Sequence, residues 1–232
     1  MARASRPALR IVLFGPSGAG KGTQAQMMKD ELGVVHIASG DLFRNHLRLG
    51  TPLGRQISEY VNQGLLVPDE VTIDIVLDKV MPLTSTAGFI LDGFPRNTHQ
   101  AEVLEGKLVG EARGLDKVVA IDVPEAALVA RLGSRYTCRQ CQAPDSVAPG
   151  EKAPPCKQCG GQMYQRPDDA PAAVQRRFQV YQQETLPVLN FYRQRGLLSE
   201  VSGVGTVEEV NGRVMAALNQ RGGGRPSAKP SR

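Results

Sequence analysis

The sequence predicts an α/β fold: a doubly wound, parallel five-stranded sheet flanked by helices. Short aliphatic runs alternate with longer amphipathic or mixed stretches, and a glycine-rich loop follows the first run. Strands buried on both faces have this continuous apolar character, and the stretches between them are long enough for right-handed helical crossovers. The predicted strands are 9–14, 34–37, 88–91, 118–123 and 197–201.

The helices follow from the stretches between the strands. They are expected at 21–32, 41–49, 53–63, 69–80, 98–111, 125–134, 172–194 and 207–218. Pro187 lies inside the longest stretch and predicts a kink or break near 185–187, because proline lacks the N–H that a helix interior needs. Segment 138–161 is rich in Pro, Gly, Cys and Gln and lacks helical periodicity. It therefore indicates a small inserted module outside the sheet.

Composition and charge exclude several classes of protein. The chain has 232 residues, of which 41% are hydrophobic and 22% charged, so a packed core is possible and wholesale disorder is excluded. No apolar run reaches the ~18 residues that span a bilayer. The net charge of +5 is smaller than the six basic charges in 1–8 and 220–232, so the body is near neutral. Nucleic-acid binding is therefore not favoured. No export signal is recognised, which predicts a cytoplasmic protein with reduced cysteines.

The clearest motif is the sequence GPSGAGKGT at 15–23. It follows a predicted strand and opens a predicted helix, the context that a phosphate-binding loop requires. Its glycines allow backbone N–H groups to converge on an anion at the helix N-terminus, and the lysine adds a mobile positive charge. Glycine occupies the position after the lysine, where a metal-binding hydroxyl is common. The predicted nucleotide-phosphate ligands are Gly15, Ser17, Gly18, Ala19, Gly20, Lys21, Gly22 and Thr23.

Two further segments carry residues suited to phosphate. In SGDLFR (39–44), Ser39 or Asp41 is expected to cap a helix, and Arg44 lies one turn into it. In LDGFPR (91–96), Asp92 ends a buried strand, at the sheet edge where α/β folds bind ligands, and is predicted to order Mg²⁺. Arg96 is a second candidate phosphate ligand.

Four cysteines form two Cys-x2-Cys pairs, Cys138/Cys141 and Cys156/Cys159. Two such pairs can supply a tetrahedral four-thiolate site, so structural Zn²⁺ is the favoured interpretation. Disulfides or redox chemistry and free thiols are the alternatives. A module this small has little core, so bound metal would supply its folding energy.

The motifs GPSGAGKGT, SGDLFR, LDGFPRNTHQA and YQRPDD resemble those of adenylate kinases of the long-lid, zinc-bearing type, in the family's order over 11–218. The resemblance implies the reaction Mg·ATP + AMP ⇌ 2 ADP in a monomeric enzyme with no membrane partner. It implies a flexible arm at 1–8, a kinase domain at 9–219 and a disordered basic tail at 220–232. Within the domain it implies a helical AMP-binding insertion at about 38–67 and a zinc-ribbon-like lid at about 134–168.

The same resemblance implies roles for individual residues. Lys21, Asp92, Arg96, Arg135, Arg166 and Arg177 are the implied catalytic residues, with Arg131 and Gly205 at the ATP base. The implied AMP site comprises Ser39, Arg44, Leu65, Val67, Gly93, Arg96, Gln100, Arg166 and Arg177. Asp168 and Asp169 are implied to link the closed lid to its hinge.

Two alternatives stay open at this stage. One is another nucleoside monophosphate kinase, or a GTP-using enzyme of the same fold. The other belongs to a different class: a nucleotide- or nucleic-acid-binding module that uses the zinc ribbon without catalysis. The full set of lysine, aspartate and arginines favours an enzyme, because a binding module needs fewer of them.

Overall fold

In the computed structural model, residues 9–148 and 150–219 are described; the predicted arm 1–8 and tail 220–232 lie outside them. A parallel five-stranded sheet has the order β2-β3-β1-β4-β8. Its strands are β1 Arg10–Phe14, β2 Val35–Ala38, β3 Phe89–Asp92, β4 Lys117–Asp122 and β8 Leu198–Ser202. The fold class and all five strands are confirmed, each with ends within one residue of the prediction.

The helices agree closely with the prediction, and those at 21–32 and 69–80 have the predicted bounds. They are α1 Lys21–Leu32, α2 Ser39–Arg48, α3 Pro52–Gln63, α4 Asp69–Val80, α5 Thr98–Gly110, α6 Glu125–Gly133, α7 Pro171–Val180, α8 Leu186–Gln194 and α9 Val207–Asn219. The expected cap of α2 is wrong. Ala38 is the N-cap residue, and no side chain caps this helix. Ser39 and Asp41 lie inside the helix, where their side chains make other contacts.

The expected break in the longest helical stretch is confirmed. A π-helical turn, Tyr181–Thr185, separates α7 from α8. Pro187 lies in the first turn of α8, where a missing N–H costs little. In a regular α-helix, the proline ring would clash with the carbonyl group four residues earlier. The helix therefore widens into a π-turn before Pro187.

The core lies on both faces of the main sheet, because successive residues of a strand point to opposite sides. Val12 and Phe14 pack into one cluster with α4, α5 and α8. Ile11 and Leu13 pack into the other with α1, α6 and α9. A smaller core of Phe43, Ile57 and Val67 belongs to the helices α2 and α3 and the loop after them.

The non-periodic segment 138–161 and the residues on either side of it form a second sheet. Its antiparallel strands β5 Arg135–Cys138, β6 Pro144–Ser146 and β7 Met163–Tyr164 have the order β6-β5-β7. Of the described residues, the buried members of its hydrophobic cluster are Cys138, Cys156 and Met163. So small a core supplies little stability by itself. Among the described residues, no helix has the length and apolar character of a membrane span.

Candidate active site

The glycine-rich loop joins β1 to α1 at the carboxyl edge of the main sheet. Gly15 has φ +146°, and a Cβ there would lie 2.7 Å from the carbonyl oxygen of Ile121. Only glycine therefore permits this close approach to β4. Gly20 is the N-cap of α1 in the left-handed conformation and offers no side-chain cap. The first N–H groups of α1 thus stay available to an anion.

Lys21 folds back over the loop that precedes it. Its Nζ donates to the carbonyl oxygens of Gly15 at 2.8 Å and Pro16 at 3.0 Å. Burial lowers the pKa of Lys21 to about 8, although the nearby Asp92 carboxylate opposes this shift. The loop therefore holds a charged amine whose proton is unusually easy to lose.

Asp92 ends β3, opposite Leu13 of β1 and Ala38 of β2 in the sheet register. Burial acts to raise the pKa of Asp92, but the neighbouring His36 and Lys21 outweigh it and the pKa is lowered. His36 Nε2 lies 3.7 Å from Asp92 Oδ2. A Cβ on Gly22 would lie 3.5 Å from the same oxygen. The ionised carboxylate thus faces the turn that carries Lys21, whereas Thr23 is exposed.

A cavity beside this edge brings together six of the predicted AMP-site residues. Its lining includes Arg44, Leu65, Val67, Arg96, Gln100 and Arg177. Ser39, Gly93 and Arg166 are not in its lining. Ser39 is fully buried, and its hydroxyl donates to the Gly93 carbonyl oxygen at 2.7 Å. A Cβ on Gly93, which has φ +75°, would lie 2.9 Å from Ser39 Oγ. Ser39 thus supports the turn after β3.

Gln100 is held by a network that the sequence does not reveal. Its Nε2 donates to Asp69 Oδ1 at 2.7 Å, and its Oε1 accepts from the backbone N–H of Arg96 at 2.8 Å. Asn97 donates to both oxygens of Asp69 and accepts from the backbone N–H of Gln100 as the N-cap of α5. Asp69 and Asn97 do not line the cavity.

Three predicted arginines lie near a buried acidic turn, the 3₁₀ segment Pro167–Asp169. Arg177 Nη1 donates to Asp168 Oδ2 at 2.8 Å, and Arg135 Nε donates to Asp169 Oδ2 at 2.8 Å. Arg166 Nε donates to the Thr137 hydroxyl at 2.7 Å. Burial acts to raise the pKa of Asp168, but Arg177 and the other arginines outweigh it and lower that pKa. Asp168 therefore stays ionised, and the two aspartates hold two of the arginines.

Arg131 of α6 lies at the other end of the phosphate loop. Its Nη2 donates to the Gly203 carbonyl oxygen at 2.9 Å, and its Nη1 lies 3.5 Å from the Gly18 carbonyl oxygen. Gly203 and Gly205 belong to the loop between β8 and α9, where Gly205 has φ +121°. Arg131 thus connects this loop to the phosphate loop.

The four cysteine sulfur atoms all lie within 4.8 Å of one another, and none forms a disulfide. Cys138 Sγ lies 3.5 Å from Cys159 Sγ, and Cys141 Sγ lies 3.5 Å from Cys156 Sγ. A tetrahedral zinc site with Zn–S bonds of about 2.3 Å would place sulfurs roughly 3.8 Å apart. The cluster therefore fits a four-thiolate metal.

Comparisons with known proteins agree with this arrangement. A model of the adenylate kinase family matches residues 13–197. An adenylate kinase of Dehalococcoides mccartyi is 43% identical over 209 residues, covering 90% of this chain and 97% of the relative. One of Moorella thermoacetica is 48% identical over 197 residues, 84% of this chain and 91% of the relative. One of Streptomyces avermitilis is 45% identical, covering 91% and 98%. The chain belongs to the adenylate kinase family.

Proposed function

We propose that this chain catalyses reversible transfer of the γ-phosphoryl group of Mg·ATP to AMP, giving two ADP. One observation carries the proposal: Lys21 on the phosphate loop lies within electrostatic range of Asp92, Arg96, Arg135 and Arg177. Because Arg96 and Arg177 also line the cavity beside the sheet edge, the phosphate loop and the cavity share one set of charges. A site for a single nucleotide would not need both.

Charge neutralisation is the main demand on such a site. Mg·ATP and AMP together bring roughly four negative charges to neighbouring phosphates, and their repulsion opposes an in-line approach. Guanidinium groups suit this task because they bind phosphate oxygens bidentately and stay protonated. Burial lowers the pKa of both Arg96 and Arg166 to about 10, which still leaves them charged at neutral pH.

The transfer itself needs no general base. An oxygen of the AMP phosphate is already an anion. It forms a bond to the γ-phosphorus as the bond from that phosphorus to the β–γ bridging oxygen of ATP breaks, and ADP leaves with that oxygen. Lys21 would stabilise the β- and γ-phosphate oxygens, and Arg96, Arg135, Arg166 and Arg177 would surround the transferring group. Positioning and electrostatic stabilisation then supply the rate.

The residues around Asp92 fit a Mg²⁺ ion bound through water. The carboxylate is ionised and faces Gly22, which presents no side chain toward it. When bound, Mg²⁺ would neutralise phosphate charge and order the β- and γ-phosphates. Asp92 would hold its waters, so no hydroxyl beside Lys21 is required.

The acceptor pocket is proposed to bind AMP through Arg44 and Arg96 at the phosphate and Gln100 at the base. Leu65 and Val67 would line the adenine. Ser39 would act indirectly, by holding the Gly93 turn that carries Arg96. Arg131 and the loop with Gly205 would bind the base of ATP on the opposite side.

The segment 134–168 is proposed to be a lid that excludes water when both nucleotides are bound, which protects ATP from hydrolysis. Asp168 and Asp169 would couple it to its hinge through Arg177 and Arg135. The four cysteines are proposed to hold structural Zn²⁺, with all four ligand positions filled and none open for catalysis.

ADP formation from Mg·ATP with AMP, CMP, UMP or GMP as sole acceptor tests this function. Activity confined to AMP supports it. Comparable activity with CMP or UMP would leave the proposed mechanism unchanged. It would indicate that the acceptor specificity is that of another nucleoside monophosphate kinase. Repeating the AMP assay with GTP as donor tests the other variant. Absence of transfer by folded, zinc-loaded protein would favour a binding module.

A further inference from the structure

Arg166 differs from its two neighbours in what holds it. Arg135 and Arg177 are paired with buried carboxylates, whereas the Nε of Arg166 donates to a neutral hydroxyl, that of Thr137, at 2.7 Å. Among the described residues 9–148 and 150–219, the Arg166 side chain makes no other hydrogen bond. Its two terminal nitrogens are therefore available to a ligand.

Thr137 is a rigid partner. It is fully buried on β5, and the sheet pairs it with Pro144 of β6 on one side and Tyr164 of β7 on the other. The next residue is Cys138, whose sulfur belongs to the four-cysteine cluster. A β-branched side chain in a strand has few accessible rotamers, so its hydroxyl is fixed in direction. A group that is hydrogen-bonded to this hydroxyl is therefore held in a fixed position relative to the small sheet.

We propose that Thr137 is a positioning residue for phosphoryl transfer, which fixes the guanidinium of Arg166 through Nε and leaves the Nη1–Nη2 edge to the transferring phosphoryl group. The inference rests on the proposed function. An arginine can present either its Nε–Nη edge or its end-on pair to a phosphate, and occupying Nε removes the first choice. A neutral acceptor also leaves the positive charge undiminished, which a carboxylate would not.

The arrangement explains why the site combines two kinds of arginine support. Arg135 and Arg177 lie among buried aspartates that offset part of their charge. Burial and then the like charges of Arg44 and Arg135 lower the pKa of Arg166, and Asp168 and Asp169 oppose this shift only in part. The Thr137 bond holds the guanidinium in place without adding a further anion near the reacting phosphates.

The test uses the full chain, zinc-loaded, with Thr137→Val and Thr137→Ser. Valine keeps the shape and the β-branch but removes the hydroxyl; serine restores the hydroxyl. We expect Thr137→Val to lower kcat by about 10-fold or more, the scale of a lost hydrogen bond to a charged group, with the KM values changed less. Thr137→Ser should recover most of the loss. Zinc content and melting temperature report whether the lid is intact.

A double-mutant cycle separates positioning from a merely structural effect. In an Arg166→Ala background, Thr137→Val should have little further effect on kcat, because the group it positions is gone. An equal fold-loss in both backgrounds, or wild-type kcat for Thr137→Val, would overturn the inference. Activity of the wild-type chain on AMP is measured in the same series. Its absence would refute the proposed function, whereas an active wild type with an unaffected Thr137→Val refutes the Thr137 role alone.

Discussion

Gln100 donates a hydrogen bond from its side-chain amide to Asp69 at 2.7 Å, across 31 residues of sequence. The backbone N–H of Arg96 donates to the other end of the same amide. A carboxylate only accepts and a backbone N–H only donates, so the orientation of the amide is fixed. One N–H and one oxygen lone pair of the Gln100 amide remain for a ligand. They match a hydrogen-bond acceptor and a hydrogen-bond donor on one edge of adenine.

We therefore predict that Gln100→Leu raises the KM for AMP by about 10-fold or more, because the base loses its hydrogen bonds and Asp69 loses a partner. The KM for ATP should change far less. Steady-state kinetics with each nucleotide varied in turn measure both values. Gln63→Leu, an exposed glutamine on α3, is the matched control and should leave both KM values near wild type. Equal effects on the two substrates would contradict the assignment of Gln100 to the acceptor site.

Adjacent arginines on α7 offer a direct comparison. Arg177 is partly buried and bonded to Asp168, whereas Arg176 is exposed. Arg177→Ala should lower kcat by about 10²-fold, the scale of losing one preorganised stabilising group. Arg176→Ala should leave kcat near wild type. Melting curves verify that both variants are folded. Similar rates for the two variants would remove Arg177 from the proposed catalytic set.

Lys21→Met should have an effect on kcat of similar size, about 10²-fold, because methionine keeps most of the length of the side chain and removes its charge. Arg96→Ala should lower kcat by a similar factor, because it removes a positive charge from the AMP side of the site. Initial rates at saturating substrates measure the loss. If either folded variant turned over at the wild-type rate, that residue would not contact the transferring phosphates.

The lowered pKa of Lys21 predicts a pH dependence. Because its pKa is about 8 rather than 10.5, the free enzyme loses this positive charge as the pH rises through about 8, where an ordinary lysine keeps it. We expect kcat/KM for ATP to fall as pH rises through about 8, since this ratio reports groups of the free enzyme. Bound phosphate favours the charged amine, so kcat itself should fall at higher pH. A kcat/KM that is constant up to pH 10 would contradict this role of Lys21.

Loss of the metal should affect stability more than rate. Cys138→Ser removes one of four clustered sulfur atoms from a sheet with very little core. The melting temperature should fall by about 5 °C or more, which corresponds to roughly 2 kcal/mol for a chain of this size. The rate well below the melting temperature should fall much less. Zinc content and calorimetry check this. Unchanged melting behaviour after chelation would contradict a structural metal.

Local sequence patterns predicted the framework well. The strands and most helix ends follow from apolar runs, capping residues and prolines, which act within a few residues of each other. The phosphate loop is likewise local, and its position between β1 and α1 agrees with the prediction. The start of α2 was predicted too late, because Ser39 bonds to Gly93 instead of capping the helix.

The residues that hold the site's side chains in position could not be predicted from local sequence patterns. Asp69 lies 31 residues from Gln100, and Thr137 lies 29 residues from Arg166, so each pair meets only in the folded chain. Neither Asp69 nor Thr137 belongs to a motif with a spacing that signals its partner. Their roles depend on burial and on the direction of one hydrogen bond. Burial and hydrogen-bond direction at these residues can be determined only from the folded structure.

The most direct measurement follows the phosphoryl group itself. Mg·ATP labelled at its γ-phosphorus is mixed with unlabelled AMP, and the label is located in the products. We predict that it appears in the β-phosphate of ADP, with two ADP formed for each AMP consumed and negligible inorganic phosphate. Label released as inorganic phosphate, or left in ATP while both nucleotides bind, would contradict phosphoryl transfer between the two sites.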